Sequence, residues 1–283
     1  MIDIMQDALL DTLIDCAKLI PFLFLTYLLM EIIEHKTSEK ARLFISRAGY
    51  AGPVAGGILG VIPQCGFSAA AASMYAGRII TMGTLLSVFL STSDEMLPLL
   101  ISAQIPLKTI LSIVGTKALI GIVAGFAVDF LFRGREHMRE PSAIHSMCEQ
   151  EHCKCEKGIF RSSLMHTLTI LAFIALVSLI LNLVIMSVGE ETMAAAVVDQ
   201  PILGPILAGL IGLLPNCAAS VALTELYLKG ILSAGTMIAG LMVGAGVGLL
   251  VLAKLNHSWK NTAKVITLLY CIGVVSGIIL NFI

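Results

Sequence analysis

Gly60-Val61-Ile62-Pro63-Gln64-Cys65-Gly66-Phe67-Ser68 returns later in the chain as Gly212-Leu213-Leu214-Pro215-Asn216-Cys217-Ala218-Ala219-Ser220. Both copies are embedded in apolar sequence. A proline, a side-chain amide and a thiol placed together interrupt a helix, and in hydrocarbon the freed backbone groups are tolerated only against protein or a water-filled cavity. The flanks are short. Gly52 to Ile62 supplies about 16 Å of helix, and Phe67 to Gly77, closed by Arg78, supplies about the same. Neither crosses a hydrocarbon core of about 30 Å, so the pair reads as a re-entrant hairpin of two half-helices, with two shortened crossings as the alternative.

The rest of the chain agrees with a membrane setting. Of 283 residues, 57% are apolar and 13% charged, with a mean hydropathy of +0.94, whereas about a quarter of residues are charged in soluble domains. Residues 12 to 34 are long enough to span. Met1 to Leu10 carry Asp3 and Asp7 but no Lys or Arg, unlike the basic n-region of a secretory signal, so a retained first span is expected. Ile79 to Ala103 is interrupted by Ser91-Thr92-Ser93-Asp94-Glu95 and then by Pro98, and reads as a discontinuous helix. Apolar runs continue over 108 to 132, 164 to 187, 204 to 229, 231 to 253 and 262 to 283. The expected fold is an all-α polytopic membrane protein of about ten membrane segments.

Sliding the chain on itself by 152 residues places Gly52 on Gly204, Pro53 on Pro205, Pro63 on Pro215, Cys65 on Cys217, Tyr75 on Tyr227 and Phe130 on Phe282 without a gap. Agreement that includes Pro, Cys and Tyr indicates duplication. The chain divides into a first membrane repeat, 1–132, a Cys/His-containing linker, 133–161, and a second membrane repeat, 162–283. Each half crosses an odd number of times, so the halves are expected to be inverted. Lys and Arg check this independently. Lys36, Lys40, Arg42, Arg47, Arg78, the six basic residues of the linker, Lys254, Lys260 and Lys264 fall on one side; only Lys108 and Lys229 fall on the other. The expected location is a bacterial-type inner membrane, with the linker cytoplasmic and both termini outside.

Inverted repeats with broken helices are the architecture of secondary transporters, which hold substrate near the midplane where the repeats meet. Cys65 and Cys217 would face one another there, and paired thiols suit a soft metal or a thiophilic metalloid. Gln64 and Asn216 add amide oxygens, Ser68 and Ser220 add hydroxyls, and Pro63 and Pro215 make the breaks. The plain alternative is that a buried cysteine packs as a small hydrophobe. Asp94 and Glu95 are the carboxylates nearest the centre of an apolar segment, where charge is costly. Their repeat mates are Gly246 and Val247, so the acidity is one-sided, as a coupling site beside a symmetric cradle would be; a loop at the membrane interface is the alternative. Lys117 and Glu225 are weaker candidates, each able to snorkel to an interface. Asp15 and Lys18 are spaced to pair on one helix face. Cys16 and Cys271 match leucines in the opposite half and read as packing residues. In the linker, His145, Cys148, His152, Cys153 and Cys155 offer ligands for Zn(II) or Cu(I) in a reducing compartment, though the spacing is that of no standard zinc finger and a solvated linker has similar composition.

The phrase GP-x6-G-x2-PQC-x2-S, its second copy with PNC, the Ser91-to-Met96 break and the His/Cys-rich linker together resemble the ten-transmembrane heavy-metal exporter family, ArsP-like permeases also labelled manganese transporters. The resemblance implies efflux of a metal or metalloid through ten membrane segments. No Gly-rich phosphate loop is present, so an ion gradient is the expected energy source and no bound cofactor is expected. The implied partners are the metal or metalloid ion and the lipid bilayer, with no nucleic acid and an open oligomeric state. Two other readings stand beside this one: a Mn(II) transporter using Asp94, Glu95, Gln64 and Asn216 as hard oxygen ligands, and an intramembrane enzyme or assembly subunit. The enzyme reading ranks last, because no His lies at a span centre; His166 is near a membrane edge.

Overall fold

A computed structural model describes residues 51–62, 65–93, 96–132, 159–188, 200–256 and 258–282, and all of 10–28 except 11, 15, 18, 22 and 26. Side chains are described at these positions except 65, 159, 161, 162, 166 and 181–188. Every regular element among the described residues is helical. After an N-terminal helical stretch within 10–28 come α1 (Gly52–Gly60), α2 (Cys65–Ala76), α3 (Met82–Ser91), α4 (Met96–Ser102), α5 (Leu107–Phe132), α6 (Ile159–Val188), α7 (Leu203–Gly212), α8 (Cys217–Leu228), α9 (Ala234–Val243), α10 (Val247–Leu255) and α11 (Trp259–Phe282).

Helix bounds recur at the 152-residue offset. Cys65–Ala76 becomes Cys217–Leu228, and Met82–Ser91 becomes Ala234–Val243. The helix starts have matched causes. Thr81 caps α3 by accepting from the Thr84 amide, and Ser233 caps α9 by accepting from the Thr236 amide; each satisfies an amide that the first turn leaves without a partner. The ends of α2 and α8 match too. The Ile79 amide returns to Met74 O and the Ile231 amide to Leu226 O, a closure that needs a left-handed residue. Gly230 takes that conformation in the second half (φ 71°) and Arg78 in the first (φ 58°).

Helices divide into inner and outer layers. The apolar windows of Met82–Ser102 and Ala234–Leu255 are 75% and 83% buried, against 33% for Leu107–Phe132 and 28% for Trp259–Phe282. The outer helices are apolar on both faces. On α5, Ile110, Ile113, Val114, Lys117, Gly121, Gly125 and Val128 make one buried stripe at helical spacing, while Leu111, Leu119, Val123 and Phe130 are exposed. A helix apolar all round, with one side open, is what lipid requires. The N-terminal stretch follows the same rule: Thr12, Cys16, Leu19, Leu23 and Tyr27 are buried and Leu13, Ile20 and Leu25 exposed.

Close backbone crossings set the inner layer against the outer one. A Cβ on Gly83 would collide with Gly125 O on α5, and one on Gly235 would meet Gly277 O on α11, small-residue contacts of the kind that bring membrane helices together. Asp129 secures the first crossing: Oδ1 accepts from the Gly83 amide at 2.8 Å and Oδ2 from the Thr81 hydroxyl at 2.7 Å. Its mate, Asn281, accepts from the Ser233 hydroxyl at 2.8 Å. Between halves, α2 packs on α10 and α8 packs on α4.

The run 231 to 253, continuous in sequence, is interrupted in the structure. Helix α9 ends at Val243, and α10 begins at Val247 after Gly246, whose φ of 51° and ψ of −135° lie where a side chain is strained. The break in the first half falls as expected between Ser91 and Met96. Pro98 sits in the first turn of α4, where its missing amide costs no helical bond. The apolar run 204 to 229, in which Pro215-Asn216-Cys217 was expected to interrupt the helix, is two helices, α7 and α8, neither long enough to cross.

Replacing Gly246 by Ala is expected to cost about 1–3 kcal/mol, lowering the thermal midpoint of the detergent-solubilised protein by several degrees. A Cβ on Gly115 meets nothing within 4 Å, so Gly115→Ala should leave the midpoint unchanged or raise it slightly.

Candidate functional site

Four interruptions of helix lie side by side. At the end of α1, a Cβ on Gly60 would strike the Ser91 hydroxyl at the end of α3; at the end of α7, one on Gly212 would strike Gly240 O near the end of α9. The ends of α1 and α7 therefore rest against the ends of the inner helices α3 and α9. On the other side of the breaks, Ser68 of α2 is fully buried, and its Cβ would lie 2.9 Å from a Cβ on Gly248 of α10. Ser68 thus occupies space that Gly248 leaves open.

The second hairpin turn is described in full. Leu213 and Leu214 close α7 with single-turn bonds, and the Asn216 amide turns back to Leu214 O at 2.8 Å. Asn216 is extended and caps α8, its Oδ1 accepting from the Ala218 amide at 3.2 Å. Cys217 is the first residue of α8 and is half-buried. Ser220 donates its hydroxyl to Cys217 O at 2.8 Å, and Thr224 donates to Ser220 O at 2.7 Å. Those hydroxyls close on their own helix; the Ser220 oxygen retains its acceptor lone pairs. Pro215 lies in the turn, half-buried.

Pro63, Gln64, Asp94, Glu95, His145, Cys148, His152, Cys153 and Cys155 lie outside the described residues, as do Asp15, Lys18 and the side chains of Cys65 and His166. The backbone of Cys65 is described. It opens α2 as Cys217 opens α8. Among the described residues no three of His, Cys, Asp and Glu gather as a metal cluster. Cys16 is buried in the N-terminal stretch and Cys271 is on the exposed face of α11.

Glu225 lies as a weak candidate would, whereas the expectation for Lys117 changes. Glu225 pairs with Lys229 one turn on at 3.3 Å, on the exposed side of α8, so its charge is engaged away from the breaks. Lys117 does not snorkel. It is 0% exposed and donates to Thr92 O and, at 3.3 Å, to Leu241 O. Thr92 is the C-cap of α3 and Leu241 lies in the last turn of α9. The reason is its place on α5: Lys117 falls on the stripe with Gly121 and Gly125 that packs on the inner helices, too far along the helix for the ammonium to reach an interface. That stripe was the signal in the sequence. A lysine in register with two glycines of a membrane helix points where the glycines point.

Basic residues gather at one end of the molecule. Lys264 of α11 stands 3.5 Å over the Phe132 ring at the end of α5, Asn261 donates to the Tyr75 hydroxyl at 2.8 Å, and Lys254 stands 4.9 Å over Phe173 of α6. The end of α2, the end of α5 and the start of α11 therefore share a face.

A family model described as "Putative, 10TM heavy-metal exporter" matches residues 1–181. The chain belongs to this family, and with its apolar helices it is a multi-pass membrane protein. No curated protein and no solved structure matches it.

Removing the Asn216 side chain tests the cap directly. Asn216→Ala is expected to cost about 0.5–2 kcal/mol, visible as a lower thermal midpoint, whereas Asn216→Ser, which still caps, should stay within a few tenths of wild type.

Proposed function

We propose that this member of the heavy-metal exporter family is a secondary-active transporter that carries a thiophilic metal or metalloid ion outward, held between Cys65 and Cys217 where two inverted repeats meet. The observation that carries the reading is the position of the two cysteines: each is the first residue of its helix, at bounds that differ by the same 152 residues. A metal-bound thiolate there sits at the positive end of a helix dipole, and thiolates favour soft ions over hard ones. Gln64, Asn216, Ser68 and Ser220 complete the cradle, and Pro63 and Pro215 make the turns that expose it.

Inversion is supported by the packing between halves. If α1 and α2 form a hairpin entering from one face and α7 and α8 one from the other, then α2 should meet the second part of the opposite broken helix on its own side. The pairing of α2 with α10, and of α8 with α4, is what that arrangement requires. The shared face of Tyr75, Phe132, Asn261 and Lys264, followed in sequence by the basic linker, supports a cytoplasmic assignment for that end. With the hairpin arms counted, the chain has ten segments, both termini outside, in the inner membrane. Asp94 and Glu95, in the interruption between α3 and α4, couple cargo release to proton entry. His145, Cys148, His152, Cys153 and Cys155 collect the ion on the cytoplasmic side.

Vesicle flux measurements test each part. Cys65→Ser with Cys217→Ser should abolish uptake of arsenite, Cd(II) or Zn(II) into inside-out vesicles while expression is retained. Undiminished uptake would sink the thiol cradle, and a loss of Mn(II) transport on Asp94→Asn with the cysteine variant intact would assign a hard cation instead. Deleting 141–157 is expected to raise the half-saturating ion concentration and leave the maximal rate near wild type, as a collecting segment requires.

A further inference from the structure

Among the described residues, the basic side chains at the Tyr75 and Phe132 end of the molecule make no ion pair; the one such pair, Glu225 with Lys229, lies on α8. Arg78 and Lys260 are exposed. Lys254 stands over the Phe173 ring and gives one hydrogen bond, to Thr169 O at 3.3 Å, and Lys264 stands over Phe132. Asp129, one turn before the end of α5, commits its two oxygens to the Gly83 amide and the Thr81 hydroxyl. The segments of chain that adjoin this end do not offset the excess. Residues 29–50 carry Glu31, Glu34 and Glu39 against Lys36, Lys40, Arg42 and Arg47, and 133–158 carry five acidic residues against five basic ones. The positive charge is left to be met from outside the chain.

These groups stand at headgroup depth. Helix α10 starts at the inner break, and its nine residues advance about 14 Å, close to half of a hydrocarbon core of about 30 Å. Lys254, in its last turn, therefore reaches the membrane surface. Trp259 opens α11 and is 75% exposed, as suits an indole with its body in lipid and its N–H toward water. From it Ala263, Thr267, Cys271 and Val275 continue an exposed stripe at helical spacing, along which an acyl chain can lie. Lys260 and Lys264 follow one turn apart beside that stripe.

We propose that the end of α10 and the start of α11 bind the headgroup of an anionic phospholipid, its phosphate held by Lys254, Lys260 and Lys264 and its glycerol backbone beside Trp259. Lys254 and Lys264 each rest one side on a ring; an ammonium carries three donors, so N–H groups are left for the lipid. Basic pockets between membrane helices recognise such headgroups. A zwitterionic lipid balances its own phosphate and would leave the excess unmet. The contact is with lipid and not with cargo, so it stands whatever ion the protein carries.

Trp259 is the only tryptophan in the chain, and it supplies the readout. The full chain is reconstituted in phosphatidylcholine bilayers in which a minority of the lipid, either phosphatidylglycerol or phosphatidylcholine, is brominated near the top of its acyl chains and quenches indole on contact. Phosphatidylglycerol should quench as though enriched about fivefold or more at Trp259, the weight of a single lysine at a charged surface. Lys260→Gln, which removes an exposed charge without a partner, should cut that preference to roughly half or less, and Lys254→Gln with Lys260→Gln and Lys264→Gln should abolish it. Lys229→Gln, the same charge lost on α8, should keep it. Equal quenching by the two lipids in wild type overturns the proposal, as does a preference that survives the triple variant or disappears in Lys229→Gln, which would mark a response to net charge alone. Should the triple variant fail to fold, Lys260→Gln decides, and an unchanged preference overturns the site. Inorganic phosphate at constant ionic strength should leave the preference intact; its loss would assign the lysines to a soluble anion and overturn the lipid.

Discussion

Backbone amides and carbonyls in hydrocarbon have no water to turn to, and this molecule stops four helices in its interior. Most of its architecture answers that demand. The caps of Thr81, Ser233 and Asn216 satisfy amides where helices begin. Ser91 and Thr92 donate their hydroxyls to Val88 O as α3 ends, and Lys117 takes oxygens that remain at both inner breaks. The inner layer is buried because its helices are broken, and α5 and α11 stand outside because they are whole.

Placing four interruptions together requires close approach, and glycine provides it. Gly60 against Ser91 and Gly212 against Gly240 bring the ends of α1 and α7 onto the ends of the inner helices. Gly83 against Gly125 and Gly235 against Gly277 fix the inner helices to the outer ones at the opposite end. Each inner helix is thus held at its start by a capped crossing and at its end by a turn of another segment. Polar atoms are concentrated where the chain is least regular, a combination that suits binding and release of an ion.

Much of this was legible in the sequence. Proline beside an amide and a thiol marked the interruptions between α1 and α2 and between α7 and α8, and Ser91 through Pro98 marked the first inner break, because each stretch puts polar or imino groups into an apolar run. The second inner break was not, since Gly244-Ala245-Gly246 adds no polarity and glycine is common in membrane helices; only the backbone angle at Gly246 reveals it. Lys117 was misread for a related reason. A long basic side chain in a span is expected to snorkel, and only the stripe it shares with Gly121 and Gly125 shows that it faces inward. For Glu225, the partner four residues on was present in the sequence and accounts for the charge.

Where the two halves differ tells more than where they agree. Asp129 stands opposite Asn281 in matched crossings, Arg78 opposite Gly230 in matched turns, and Lys117 opposite Leu269 on matched outer helices. The first two exchanges keep the local hydrogen bonding or backbone conformation and change only charge or size. The third does not: it puts a full positive charge at the place where the inner helices of both halves end. Lys117 donates to carbonyls of both halves, which makes the asymmetry part of the packing itself.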